Sequence, residues 1–164
     1  MKAVRVVALS LVAAGLTGCV TSPYKPPEGA QTATLIGARG QAAVAFGGSQ
    51  LYMAFTDDAC KEKLGTLALF NMLGSAQTFE AKLVAQQKVY IRAVTAGGRP
   101  PMTVYCTNVI SLVPEVGATY SITQVLTGNQ CFVELVDTKT NAAPASLQSY
   151  NPPASSCTVG GPAF

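Results

Sequence analysis

The chain has 164 residues, with 11 Lys and Arg against 8 Asp and Glu and neither histidine nor tryptophan. The missing histidine removes the commonest general base, the commonest metal ligand and every Ser–His or Cys–His nucleophile pair, so a non-enzyme is expected. The formal charge of +3 is too small and too dispersed for the basic patch that nucleic acid requires.

Residues 1–18 have the three parts of an export signal. Lys2 and Arg5 give a positive start, Val6 through Ala14 a short apolar run, and small residues follow. The run falls short of the roughly 20 residues of a membrane span. Removing these 18 residues leaves 146 of the 164, one ordinary domain, and takes the charge from +3 to about +1. Leu16-Thr17-Gly18-Cys19 closes the segment. This tetrapeptide resembles the lipobox of bacterial lipoproteins. The resemblance implies cleavage before Cys19, a diacylglycerol thioether on its sulfur, and acylation, typically as palmitate, of the new amine. Two or more acyl chains hold a protein stably, each buried CH₂ adding about 0.8 kcal/mol. Val20 stands where an Asp often retains lipoproteins at the inner membrane, so the resemblance points to the outer membrane and a domain facing the periplasm.

Residues 19–31 hold three prolines within Ser22-Pro23-Tyr24-Lys25-Pro26-Pro27, which neither a helix nor a central strand accepts. A lipidated tether is expected there, extended at about 3 Å per residue. Pro23-Tyr24-Lys25-Pro26 also has the spacing of a Pro-rich ligand, the lesser alternative.

From residue 32 to 137 the pattern has period two. Thr32, Thr34 and Ile36 alternate with Ala33 and Leu35, and Leu51-Tyr52-Met53-Ala54-Phe55 forms another strand before Asp57 and Asp58. Those two carboxylates without further oxygen ligands suit a turn or helix N-cap better than calcium. Residues 59–74 are ambiguous: Leu64, Leu67 and Phe70 share a helical face, while Leu67 and Leu69 share a strand face. One short helix packed over the end of the core is allowed there, with an exposed apolar flap as the alternative. Strands are expected at 79–83, 88–95, 103–113, 118–127 and 130–137, with Gly128-Asn129 as a tight primed turn. The tail, 138–164, is rich in Asn, Ala, Pro, Ser and Gly and is expected to be irregular.

The fold class is therefore all-β, a single β-sandwich of about seven strands. Gly117-Ala118-Thr119-Tyr120 resembles the start of a late strand in immunoglobulin-like and prealbumin-like sandwiches. The resemblance implies a tyrosine hydroxyl tied to nearby backbone; the Cys–Trp–Cys core of immunoglobulins is absent. The whole layout is similar to small bacterial lipoproteins with a sandwich domain, a resemblance that carries no catalytic residues.

Beyond Cys19 there are four cysteines. An even number in an exported domain argues for two disulfides, and four cysteines allow three pairings. Cys106–Cys131, clipping a hairpin, and Cys60–Cys157, pinning the tail to an early loop, are favoured. Without a C-x-x-C pair a zinc site is disfavoured, and neither cofactor nor metal is expected. Glu80, Glu115, Glu134 and Asp137 are scattered, no S-x-x-K follows Ser49, Ser75 or Ser111, and Gly47-Gly48 and Gly97-Gly98 precede no Lys-Ser/Thr. The surviving expectations are a non-catalytic lipoprotein with an envelope protein as partner, a module binding cell-wall glycan or peptide through a sheet face or Tyr24, Tyr52 and Tyr90, or an inhibitor of a periplasmic hydrolase. The pattern leaves the oligomeric state open.

Two intramolecular disulfides are predicted in the mature protein. Alkylation without reduction, followed by mass measurement, should leave all four of these cysteines unmodified; four alkylated thiols would refute the pairing.

Overall fold

The computed structural model describes residues 22–40, 48–71, 76–97, 104–127, 130–150 and Cys157. The leader with Cys19, residues 41–47, Ser75 and the Gly128-Asn129 turn lie outside them. Nine strands are present: β1 (Thr32–Ala38), β2 (Ser49–Phe55), β3 (Lys63–Phe70), β4 (Thr78–Val84), β5 (Val89–Gly97), β6 (Val104–Leu112), β7 (Thr119–Thr127), β8 (Gln130–Asp137) and β9 (Gln148–Tyr150). They form a four-stranded sheet, ordered β4-β1-β7-β8, facing a five-stranded sheet, ordered β3-β2-β5-β6-β9. The fold is a β-sandwich.

Alternation explains the core. Ala33 and Leu35 of β1 are buried, as are Tyr120 and Ile122 of β7 and Leu135 of β8, and they meet Tyr52, Ala54, Ile91, Ala93, Ile110 and Leu112 from the other sheet. Tyr52, Phe70 and Phe79 form an aromatic cluster at 5.2–6.4 Å between ring centroids. Phe79 fits only because Gly37, its partner across β1–β4, leaves space: a Cβ there would collide with its ring. All strand pairs are antiparallel except β1–β7, which is parallel and matches Ile36 with Ser121.

Three expectations need correction. Residues 63–70, open to a short helix, are strand β3, and no helix occurs between Ser22 and Tyr150 among the described residues. The reason is the free edge of β2, which supplies backbone partners that a helix could not use. Two register shifts, at Tyr52/Met53 and Ala54/Phe55, let both Leu67 and Ala68 touch the core, which erases the period-two signature. Leu64 is exposed and Phe70 buried, so the two share no common face. In the tail, Gln148–Tyr150 is not irregular but pairs with Val109–Ser111 of β6, and Leu147 packs on the core. The strand count rises accordingly from about seven to nine.

The third correction concerns the tether. Ser22 to Tyr24 lies along β3 as a parallel bridge, with Tyr24 N donating to Thr66 O and Thr66 N to Ser22 O, both at 2.8 Å. The Tyr24 ring packs on the core, and its hydroxyl accepts from Val84 N of β4 at 3.3 Å. One residue thus closes the side of the sandwich between edge strands β3 and β4. Gly65 permits it: a Cβ there would stand 2.5 Å from Tyr24 Cα. Tyr24 of Pro23-Tyr24-Lys25-Pro26 is therefore held by its own domain, while Pro23 and Lys25 are exposed.

Removing the ring should cost more than removing its hydroxyl. Tyr24→Ala is expected to lose about 2–3 kcal/mol, and Tyr24→Phe about 1 kcal/mol, read as shifts of the urea midpoint. Equal midpoints for the two variants and the native chain would show that the side is not closed by this residue.

Candidate functional site

The two outward faces of the sandwich differ. In β2 the residues that point away from the core, Leu51, Met53 and Phe55, are nonetheless buried, and with Val94 of β5 they form a second apolar cluster. Val109 and Ser111 of β6 are buried beside them. Cys60 packs against this cluster, and its disulfide partner Cys157 is fully buried. Arg92 lies within this face, 5% exposed, with Nε and Nη2 unpartnered among the described residues; burial lowers its pKa. This face is closed.

The four-stranded sheet is open outward. Ile36 of β1 and Phe132 of β8 are 37% and 38% exposed, set among Thr34, Thr123 and Ser121, with charges at Glu80, Lys82 and Glu134. Lys82 Nζ pairs with Glu80 at 3.1 Å and donates to Thr34 Oγ1 at 2.7 Å. An open depression of about 480 Å³ lies against β1 and β4, lined by Ile36, Ala38, Thr78, Phe79, Glu80 and Ser121. Hydroxyls, a few charges and two isolated apolar side chains suit reversible contact with another surface.

Between the sheets, toward the end where β1 and β7 finish, lies a polar chain that sequence reasoning missed. Gly40 N donates to Gln50 Oε1 at 2.6 Å, and Gln50 Nε2 donates to Gln124 Oε1 at 3.0 Å. Thr95 Oγ1 donates to the same oxygen at 2.5 Å, and Gln124 Nε2 donates to Asn108 Oδ1 at 2.7 Å. Asn108 Nδ2 then reaches Cys131 O at 2.8 Å. Gln50, Thr95 and Gln124 are completely buried. The signal was present in Tyr120-x-Ile122-x-Gln124, where an amide takes a core position. These groups are amides and a hydroxyl, so the chain carries no acid–base chemistry and instead fixes one sheet against the other. Beside it, Cys106–Cys131 joins β6 to β8 across the two sheets, with Cα atoms 6.1 Å apart, rather than clipping a hairpin. Cys60–Cys157 joins the β2–β3 loop to the tail, with Cα atoms 5.3 Å apart.

The other sequence candidates disperse. Tyr52 is in the core, its hydroxyl donating to Ala38 O at 3.3 Å, and burial pushes its pKa far up. Tyr90 is on the opposite face of its sheet, near Tyr150 and under Lys88, and Tyr24 closes the sandwich side. The three tyrosines form no shared platform. Asp57 accepts from the amides of Lys61 and Glu62, and the Glu62 amide is the main cause of its lowered pKa. It shapes the β2–β3 turn and caps no helix. Asp137 likewise accepts from Lys139 N and Thr140 N. Glu80 on β4 and Glu134 on β8 lie on opposite edge strands, which stand about 14 Å apart at 4.8 Å per strand, and are offset along them by two residues. Glu115 is in the turn before β7, where its amide donates to the Tyr120 hydroxyl at 3.0 Å. Ser111 shares a hydrogen bond with Tyr150, at 3.2 Å. Among the described residues no three His, Cys, Asp or Glu gather to hold a metal ion.

No family model, curated protein or solved structure matches the chain.

The polar chain predicts a strong response at its centre. Gln124→Met orphans Gln50, Thr95 and Asn108, and should cost about 2–4 kcal/mol in urea unfolding. Gln124→Glu should make stability pH-dependent. Desolvation holds the buried carboxyl protonated, so the folded pKa stands above the unfolded one. Stability is then fully present below about pH 4 and declines as pH rises toward neutrality, a slope absent from Gln124→Met.

Proposed function

We propose that this chain is an envelope lipoprotein. It is cut before Cys19, lipidated on that thiol and held at the outer membrane with its sandwich in the periplasm, where it engages another envelope protein without catalysing a reaction. The observation that carries this is the combination of Leu16-Thr17-Gly18-Cys19 behind an export leader with a body stapled by two disulfides. Disulfides persist where thiols are not kept reduced, and the leader would deliver the chain to such a space. In the loop-entropy account, bridges spanning 25 and 97 residues stabilise by about 3–5 kcal/mol each.

The open outer face of the four-stranded sheet is the surface offered for the partner, since the other face is already covered. Its mixture of Ile36 and Phe132 with threonines and an ion pair favours protein contact. Cell-wall glycan or peptide on the same face is the second reading, favoured by the depression beside Ile36 and Glu80. Inhibition of a hydrolase by an inserted loop stands behind both.

Cys19→Ala should release the protein from the membrane pellet or leave it unprocessed, with the leader attached. Firm retention of a processed Cys19→Ala variant would sink the lipid anchor. Crosslinking in intact cells from the lipidated protein should recover one envelope protein stoichiometrically, and Ile36→Asp with Phe132→Asp should reduce that recovery at least tenfold. Unchanged recovery would remove the open face from the proposal, and retention by purified cell wall alone would favour the second reading.

A further inference from the structure

If Cys19 is the lipid anchor, the distance from that anchor to the first docked residue decides how the domain stands on its membrane. Ser22 and Tyr24 are fixed to Thr66 by two backbone hydrogen bonds of 2.8 Å, and the Tyr24 ring is packed into the core. Only Val20 and Thr21 separate Cys19 from Ser22. Three peptide steps reach at most about 11 Å, whatever their conformation. A free tether through residue 31 would instead have allowed about 40 Å at roughly 3 Å per residue. The difference is large enough to fix a standing height.

Direction follows from the strand polarity. The Pro23–Thr66 bridge is parallel, so the chain leading into Ser22 arrives from the side where β3 begins. That corner carries Lys61, Lys63 and Leu64, all exposed, and Leu64 is 43% accessible although apolar. Leu64 stands two residues from Thr66, about 7 Å along the strand. The corner also carries three acids: Asp57 accepts from the amides of Lys61 and Glu62, Glu62 accepts from the Thr56 hydroxyl at 2.9 Å, and Asp58 is exposed. An exposed apolar side chain among charged neighbours, held within about 11 Å of the anchor, suits the boundary between headgroups and acyl chains.

We propose that the β2–β3 corner, with Leu64 exposed at the start of β3, rests in the headgroup layer of the leaflet that holds Cys19. The inference depends on the lipoprotein reading above and adds an orientation to it. The far end of the five-stranded sheet, marked by the exposed Tyr105 of β6, then points away from the membrane. Tyr105 lies six residues from Ser111, which is level with this corner through the pairs Ser111–Tyr90, Tyr90–Phe55 and Phe55–Lys63, so the two ends are about 20 Å apart.

The absence of tryptophan makes a direct test available. Lipidated full-length protein carrying Leu64→Trp, or Lys61→Trp as a second probe of the same corner, is reconstituted into phosphatidylethanolamine–phosphatidylglycerol vesicles containing a headgroup nitroxide lipid. Fluorescence should fall at least twofold relative to vesicles without nitroxide, and Tyr105→Trp should change by less than a tenth. Twenty Gly-Ser residues inserted between Thr21 and Ser22 should abolish most of the quenching while the protein still floats with the vesicles. Equal quenching at the two ends, or quenching unaffected by the insertion, would overturn the orientation alone. Failure of the native protein to float would overturn the lipid anchor and this inference with it.

Discussion

Two facing β-sheets can slide over one another while keeping apolar contact, and what prevents it here is the Gln124 amide. Its oxygen accepts from Gln50 and Thr95 of the opposite sheet, and its nitrogen donates to Asn108. Hydrophobic burial is non-directional, whereas each of these bonds exists in only one register. Any displacement by a residue would orphan several buried groups at once. Cys106–Cys131 fixes the same pair of sheets covalently a few ångströms from this chain, through a residue whose carbonyl belongs to it. The sandwich is thus specified at one end by polar bonds and a disulfide, and at its β3–β4 side by Tyr24.

Much of this architecture is legible in the residues. The alternation of Ala33 and Leu35 with Thr34 and Ile36, and the runs between 104 and 137, state their strands and their inward faces directly. Leu51 to Phe55 reads as a continuous apolar run, the mark of a strand covered on both sides, and that is how β2 is found. β3 was hidden because its bulges break the period, and β9 because three residues in a polar tail carry no periodicity of their own. Tyr24 was masked by its prolines: composition says only that the backbone is extended, and an extended backbone serves a tether and an edge strand equally. The amide chain escaped because pairing between Gln50 and Gln124, distant in sequence, is a property of the folded register.

The unequal outer faces give the fold a direction. One sheet is covered and bonded to the tail through Cys60–Cys157, and it even encloses a guanidinium, that of Arg92, with two nitrogens unpartnered among the described residues. Burying such a group carries a cost that the surrounding apolar contacts must offset. The other sheet is held open by threonines and an exposed ion pair worth little to stability. A surface that contributes little to holding the fold is free to be shaped by what it meets.

The parallel pairing of β1 with β7 bears on the order of assembly. Ile36 must wait for Ser121, about 85 residues later, before its strand has a neighbour on that side. In a chain emerging amino end first, Ser22 to Tyr24 can dock on β3 and β4 once residue 84 is made, whereas β1 completes its pairing only when β7 arrives. The four-stranded sheet, and with it the open outer face, is thus assembled only once the last third of the chain is made.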